Sequence, residues 1–169
     1  MPRIDFQKLP DHGRLWVFPA TRDLTDPEAE ACLEAVDAFL DEWAAHGVAL
    51  VSGRELLERR FLLVGVDVDA EAPSGCSIDA LVGRLRTLGA ELGVGLIDHA
   101  PVWYRDAGEV RSASRGAFKQ LAEEGAVEPT TRVFDTTLTS LRQLRDGALE
   151  RPAAETWHGR AFFRAGSAG

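Results

Sequence analysis

The sequence predicts an α+β protein, and three observations lead to this prediction. Two long segments carry apolar residues at helical spacing, one after Thr25 and the other after Ser77. Short apolar runs surround these segments, the strongest being Phe61 to Val68, and such runs are typical of strands. The 169 residues, of which 45% are hydrophobic, are enough for a compact protein with a sizeable core.

The first predicted elements are a strand and a capped helix. Arg14 to Phe18 reads as the strand, and Thr25 to Glu28 (T-D-P-E) is a capping box with proline in the first turn. Gly47, directly after His46, is predicted to end this helix. The residues that recur at helical spacing between these signals are Ala29, Leu33, Val36, Phe39, Leu40 and Trp43.

The next elements complete a recognisable order. Val48 to Ser52 is predicted as the second strand, with Leu57 as its farthest end, and Phe61 to Val68 as the third. A second helix ends at Gly93, and Val94 to Tyr104 is predicted as the fourth strand. The apolar face of that helix consists of Ile78, Leu81, Val82, Leu85, Leu88 and Leu92. This β-α-β-β-α-β order is that of a ferredoxin-like split βαβ sandwich.

The last third of the chain has weaker patterns. Its predicted elements are a hairpin strand at Glu109 to Ala113, a helix from about Arg115 to Glu124, a short strand at Arg132 to Asp135 and a short helix through Leu138, Leu141 and Leu144. We therefore predict a ferredoxin-like core over residues 1–112 and a C-terminal extension over 113–169 that packs on the core, with a disordered tail at 166–169.

Composition limits the classes of partner. The net charge of -8 leaves no basic surface for nucleic acid or for an anionic membrane. No apolar segment has the length of a membrane span or the pattern of a signal peptide. Two cysteines do not make a disulfide framework. The expectation is a cytoplasmic protein with reduced thiols and without nucleic-acid or membrane partners.

The segment Pro73 to Asp79 (P-S-G-C-S-I-D) carries the strongest chemical signal. It opens the second helix, where unpaired backbone N–H groups favour a thiolate, so Cys76 is the candidate nucleophile or redox thiol. The alternative is structural, because Ser74 or Ser77 can cap the helix while Cys76 fills a half-buried space.

The predicted topology gathers further residues around Cys76. The end of the first helix and the start of the second lie at one edge of such a sandwich, so His46 is the candidate base, although it can equally serve as a capping residue. The candidate ligand-binding residues at this edge are Ser74, Gly75, Ser77, Asp79, Tyr104 and Arg105. Loop position predicts that His12 and His158 are solvated, and Cys32 is predicted to be a core residue.

Several catalytic motifs are missing from the sequence. It has no phosphate-binding P-loop, no G-x-G-x-x-G after a strand, no H-E-x-x-H, no C-x-x-C and no G-x-S-x-G. Two cysteines and four scattered histidines do not form a zinc pattern. We therefore predict no cofactor and no metal, and we disfavour P-loop nucleotidases, Rossmann oxidoreductases, thioredoxin-type enzymes and α/β-hydrolases.

Two segments carry a resemblance to a known family. Trp43 to Gly47 (W-A-A-H-G) and Ser74 to Asp79 (S-G-C-S-I-D) resemble motifs of an uncharacterised bacterial family of small proteins, and the resemblance continues through Thr131 to Phe134 and Trp157. Members of that family often carry the label "ABC transporter ATPase", although this chain lacks the Walker A loop that such an ATPase needs. The resemblance implies no particular activity, substrate or cofactor.

Three functions are compatible with these patterns. The first is a small ligand-binding or regulatory domain with a Cys/His corner, whose partners are an unknown small molecule and a second copy that pairs along the edge strand Val48 to Ser52. The second is a cysteine-dependent enzyme that uses Cys76 with His46. The third is a peptide or protein interaction module through residues 102–134, which look a little like GYF-type adaptors around Trp103 and Tyr104.

Overall fold

The computed structural model describes residues 3–163, which divide into two compact units. The first unit contains the chain up to Asp98 together with Leu138–Asp146, and the second contains His99–Thr137 and the chain from Gly147 onward. The boundary predicted between residues 112 and 113 lies inside a strand of the second unit, and the tail predicted at 166–169 lies outside the described residues.

Helices and antiparallel strands make up both units, which confirms the α+β prediction. In chain order the elements are β1 (Arg14–Pro19), α1 (Asp26–Glu42), β2 (Ala44–Ala45), β3 (Val48–Ala49), β4 (Ser52–Leu57), β5 (Phe61–Val66), α2 (Gly75–Leu92), β6 (Val102–Asp106), β7 (Glu109–Ala113), α3 (Arg115–Glu123), β8 (Arg132–Phe134), α4 (Leu141–Arg145), β9 (Glu150–Pro152) and α5 (Trp157–Phe162). Single 3-10 turns occupy Phe6–Lys8 and Ala153–Glu155.

The first unit is built on a three-stranded antiparallel sheet in the order β1-β5-β4. Side chains alternate along a strand, so Leu62, Val64 and Val66 of β5 face one side, where they join α1 and α2 in the main core. The opposite side is so closely covered that a Cβ on Gly65 would lie 2.8 Å from Leu9 Cδ1. This unit therefore has covering layers on both faces of its sheet.

The prediction that Val94 to Tyr104 forms a fourth strand of the first unit's sheet is wrong. The chain after α2 turns at Gly93, whose φ of 70° is left-handed, and its next strand is β6, which pairs with β7 and β8 in the second unit's sheet. Gly95 and Pro101 interrupt the apolar run, because glycine weakens a strand and proline lacks the N–H that a ladder needs. The main sheet of the first unit thus has three strands in the order β1-β5-β4, and the four-stranded ferredoxin-like order is not confirmed.

The end of the first helix also differs from the prediction. Helix α1 ends at Glu42, and β2 and β3 then form a small hairpin whose turn is His46 and Gly47, with φ of 52° and 78°. Two left-handed residues in sequence are what a two-residue hairpin turn requires. His46 is therefore not in a helix, and the predicted strand Val48 to Ser52 is divided between β3 and the first residue of β4.

The second unit is a four-stranded antiparallel sheet in the order β7-β6-β8-β9. The predicted hairpin, helix and short strand correspond to β7, α3 and β8, and the predicted short helix corresponds to α4 of the first unit. Phe162 and Phe163 pack against the second unit's core around Phe118.

His158 is a core residue of the second unit, so the prediction of a solvated loop histidine is wrong. Its side chain is 1% exposed, its ring stacks on Trp157 at 3.8 Å between centroids, and its Nδ1 lies 2.8 Å from Thr156 Oγ1. Burial lowers the pKa of His158 from 6.5 to about 4, because the imidazolium loses its hydration there.

We expect this burial to make the second unit acid-sensitive. Between pH 6.5 and about 4 the unfolded chain protonates His158 while the folded chain keeps it neutral. The contribution of the neutral His158 to the free energy of unfolding is therefore fully present above pH 6.5 and is lost as the pH falls towards 4. The loss should amount to about 1–3 kcal/mol in urea unfolding across this range. His158→Gln should remove this part of the pH slope, whereas His46→Gln, at an exposed histidine, should retain it; equal slopes in all three proteins would contradict the assignment.

Candidate functional site

Trp43 joins the end of α1 to the start of α2. The Trp43 indole Nε1–H donates a hydrogen bond to the Ser77 carbonyl oxygen at 2.8 Å. The same ring meets Trp16 of β1 edge-on at 5.8 Å and lies 5.7 Å from Phe39, between ring centroids. Three elements therefore meet at the corner where the topology places Cys76, and we call this region the Trp43 corner.

The first turn of α2 is capped by its own serines. Ser74 Oγ accepts a hydrogen bond from the Ser77 N–H at 3.1 Å, and Ser77 Oγ accepts one from the Ser74 N–H at 2.7 Å. This reciprocal capping box accounts structurally for both predicted ligand-binding serines. Gly75 and Cys76, which lie between the two serines, occupy the first two positions of α2. Backbone N–H groups at these positions have no acceptor within the helix.

The two residues of the predicted catalytic pair are both on the surface. Cys76 is exposed on α2, and His46 is exposed at the hairpin turn between β2 and β3. Within residues 3–163 neither side chain forms a hydrogen bond or an ion pair, with the other or with any third group, and Asp79 is likewise exposed and unpaired. The Cys76–His46 pair stays a prediction.

A shallow groove lies at the Trp43 corner. It has a volume of about 350 Å³ and is lined by Phe39, Glu42, Trp43, Ala44 and Ala80. Cys76 precedes Ala80 by four residues on α2, so both lie on the same helix face, and Cys76 is not among the residues that line the groove. His46 follows Ala44 by two residues in the hairpin.

Glu42 gives this groove a negative charge. Its carboxylate is exposed and forms no ion pair within the described residues. It stands in the last turn of α1, which has no basic residue, so the partial negative charge of the helix C-terminus adds to that of the carboxylate. Glu42 is not among the residues predicted from the sequence. The sequence signal for it is an acidic residue in the last turn of a helix, a position that normally favours a cation.

The other two predicted ligand-binding residues belong to the second unit. Tyr104 packs edge-on against Phe118 at 5.3 Å between ring centroids. Arg105 makes a two-pronged ion pair with Glu150, from Nε at 2.7 Å and from Nη2 at 2.9 Å, which lowers the pKa of that carboxyl. Both side chains therefore have structural partners within their own unit.

Comparison of the chain with protein-family models, with curated proteins and with solved structures finds no match. The resemblance to the bacterial family therefore stays a prediction. Among residues 3–163, the helices lack the combination of length and apolar composition that crossing a bilayer requires.

We expect Trp43→Ala to destabilise the protein by about 3–5 kcal/mol, because it leaves a cavity at a site where the side chain is 3% exposed and loses a buried hydrogen bond. Trp43→Phe keeps most of the ring volume and should cost less. Val48→Ala, at a side chain that is 49% exposed, is the control and should change stability by less than about 0.5 kcal/mol. Urea unfolding measures all three, and a loss below about 1 kcal/mol for Trp43→Ala would show that the corner does not depend on this ring.

The two cysteines should differ sharply in labelling by a thiol reagent such as 5,5′-dithiobis(2-nitrobenzoic acid). Cys76 is exposed and should react in the native protein, whereas Cys32 is buried and its pKa is raised by burial to about 11. Cys76→Ser should therefore abolish native labelling, and Cys32→Ser should leave it intact while costing about 1–3 kcal/mol of stability. Native labelling that survives Cys76→Ser would contradict the burial of Cys32.

Proposed function

We propose that the first unit is a small-ligand-binding domain and that its site is the groove at the Trp43 corner. The observation that carries this proposal is an open, mainly apolar groove of about 350 Å³ with one unpaired carboxylate at its edge. Apolar concave sites with few, well-placed polar groups are the usual form of small-molecule sites in proteins.

The lining of the groove favours one chemical class of ligand. Phe39 offers an aromatic ring, while Ala44 and Ala80 are small enough to leave room for an apolar body. Glu42 and the C-terminal carbonyls of α1 attract positive charge, and so does an aromatic face. These groups together suit a small organic cation, with the ammonium at Glu42 and the apolar part towards Ala80.

Cys76 and His46 are close in sequence to the lining residues Ala80 and Ala44, and neither is assigned a chemical step. The enzyme alternative needs the thiol and the imidazole within hydrogen-bond reach, and no such contact supports it. The interaction-module alternative needs an exposed aromatic pair, whereas Trp103 is 1% exposed. A homodimer stays a prediction, for which the exposed Val48 beside the hairpin turn is the remaining motivation.

Titration of the ¹⁵N-labelled protein with benzylammonium, and with uncharged benzyl alcohol, tests the site. We expect chemical-shift changes at Phe39, Glu42 and Ala80, with the ammonium binding more tightly. Ala80→Leu fills the groove and should weaken both ligands about tenfold or more. Thr87→Leu, an exposed position farther along α2, should leave binding unchanged.

The contribution of charge is tested separately. Glu42→Gln should abolish the preference for ammonium over alcohol while retaining the alcohol, and Glu34→Gln, an exposed and unpaired glutamate on the same helix, is the matched control. Shift changes that lie elsewhere, or that Ala80→Leu does not reduce, would refute the groove as the site.

A further inference from the structure

A histidine and two aspartates from distant parts of the sequence meet beside the paired strands β1 and β5. These strands are antiparallel with Arg14 opposite Val66, so the chain just before β1 runs alongside the chain just after β5. This register places His12 against Asp67 and Asp69. His12 Nε2 lies 2.5 Å from Asp69 Oδ2, and one ligand atom from each of the three residues lies within 4.8 Å of the others.

The backbone holds both chain segments in place. The Asp67 N–H donates to the Val51 carbonyl at 2.9 Å, and the Leu141 N–H donates to the Gly13 carbonyl at 3.0 Å. A Cβ at Gly13 would lie 2.7 Å from the Val66 carbonyl oxygen, so glycine is what permits the segment of His12 to approach β5 this closely. The three side chains therefore extend from anchored positions on both segments.

The carboxylates of this cluster have no arginine or lysine partner among the described residues. The neighbouring carboxylate of Asp11 has two arginine partners, Arg145 at 2.7 Å and Arg142 at 3.8 Å. Within residues 3–163, by contrast, no arginine or lysine forms an ion pair with Asp67 or Asp69. Two close carboxylates repel each other, and a cation held between them removes that repulsion.

We propose that His12, Asp67 and Asp69 form a binding site for a divalent first-row transition-metal ion of the Zn²⁺ or Co²⁺ type. Imidazole nitrogen and carboxylate oxygen bind such ions at about 2.0–2.2 Å, which places two ligands of one ion about 3–4 Å apart. The observed separations, 2.5 Å between His12 Nε2 and Asp69 Oδ2 and at most 4.8 Å between any two of the three ligand atoms, bracket this value, and the Asp69 N–H already holds Asp67 Oδ1 at 3.0 Å.

The ligand set also indicates which ions are disfavoured and what completes the coordination. Mg²⁺ and Ca²⁺ prefer oxygen ligands, whereas an imidazole favours the later first-row ions. Three protein ligands leave at least one position for water or for a group from another molecule. His12 and Asp69 are exposed, so that position is open to solvent. The metal would replace the proton in the contact between His12 and Asp69.

The experiment is a titration of the full chain with Co²⁺ and Zn²⁺ in a Cys76→Ser background, which removes the exposed thiol as a competing ligand. Calorimetry should give one site per chain, with Mg²⁺ binding at least tenfold more weakly. His12→Ala, Asp67→Asn and Asp69→Asn should each weaken Co²⁺ at least tenfold, since even loss of a group that only supports a ligand costs about 10–100-fold. His46→Ala and Asp79→Asn, at exposed residues outside the cluster, are matched controls and should bind normally.

Paramagnetic Co²⁺ provides a readout that does not depend on the variants folding. In the Cys76→Ser protein it should shift or broaden the amide signals of residues 11–13 and 66–70, leaving those around Ala80 unchanged. Absence of saturable binding, equal weakening in the control variants, or paramagnetic effects centred elsewhere would each overturn the proposal. This result is independent of the groove at the Trp43 corner, because that site is probed with ammonium and lies on other residues.

Discussion

Burial of strand β5 is the constraint on which the rest of the first unit depends. All six of its residues are buried, it pairs with β1 on one side and β4 on the other, and both of its faces are covered. A strand in this position cannot slip by one residue, because every side chain would move to the opposite face. The same register that fixes the core therefore fixes the residues beyond its ends, including His12 and Asp69.

The second determinant is the early end of α1. Because the helix stops at Glu42 and the Trp43 indole bonds the Ser77 carbonyl, the following chain forms the β2–β3 hairpin, and β2 contacts α2. Phe39 of α1, Ala44 of β2 and Ala80 of α2 then line the groove together. The lining of the groove therefore depends on where α1 ends.

Local chemistry was predictable from the sequence, and long-range register was not. The capping box at Thr25, a serine cap at the start of α2 and the apolar run of β5 use residues that are close together in sequence, and the structure contains all three, with Ser74 as the cap of α2. Gly47 was misassigned because glycine after a helical run is compatible with a helix end and with a hairpin turn alike. The fourth strand was predicted from the apolar residues between Val94 and Tyr104, although Gly95 and Pro101 interrupt that run, and the structure has a strand only after Pro101.

The candidate sites show the same division. Cys76 was identified from the sequence because a helix start is a local pattern, and the structure places it, exposed, in the first turn of α2. His12 and Asp69 are 57 residues apart, and nothing in either segment alone indicates that they meet. Their contact follows only from Arg14 lying opposite Val66.

The carboxylates of the two proposed sites in the first unit share one electrostatic feature. Most acidic side chains that contact a neighbour there meet an arginine, as Asp37 meets Arg54 and Glu28 meets Arg22. Glu42, Asp67 and Asp69 have no arginine or lysine partner within the described residues. For Glu42 the helix dipole adds to the negative potential, and for the aspartates the second carboxylate does so. Neither arrangement is balanced by an arginine or lysine among residues 3–163, and this is the physical reason for proposing a cationic ligand at each.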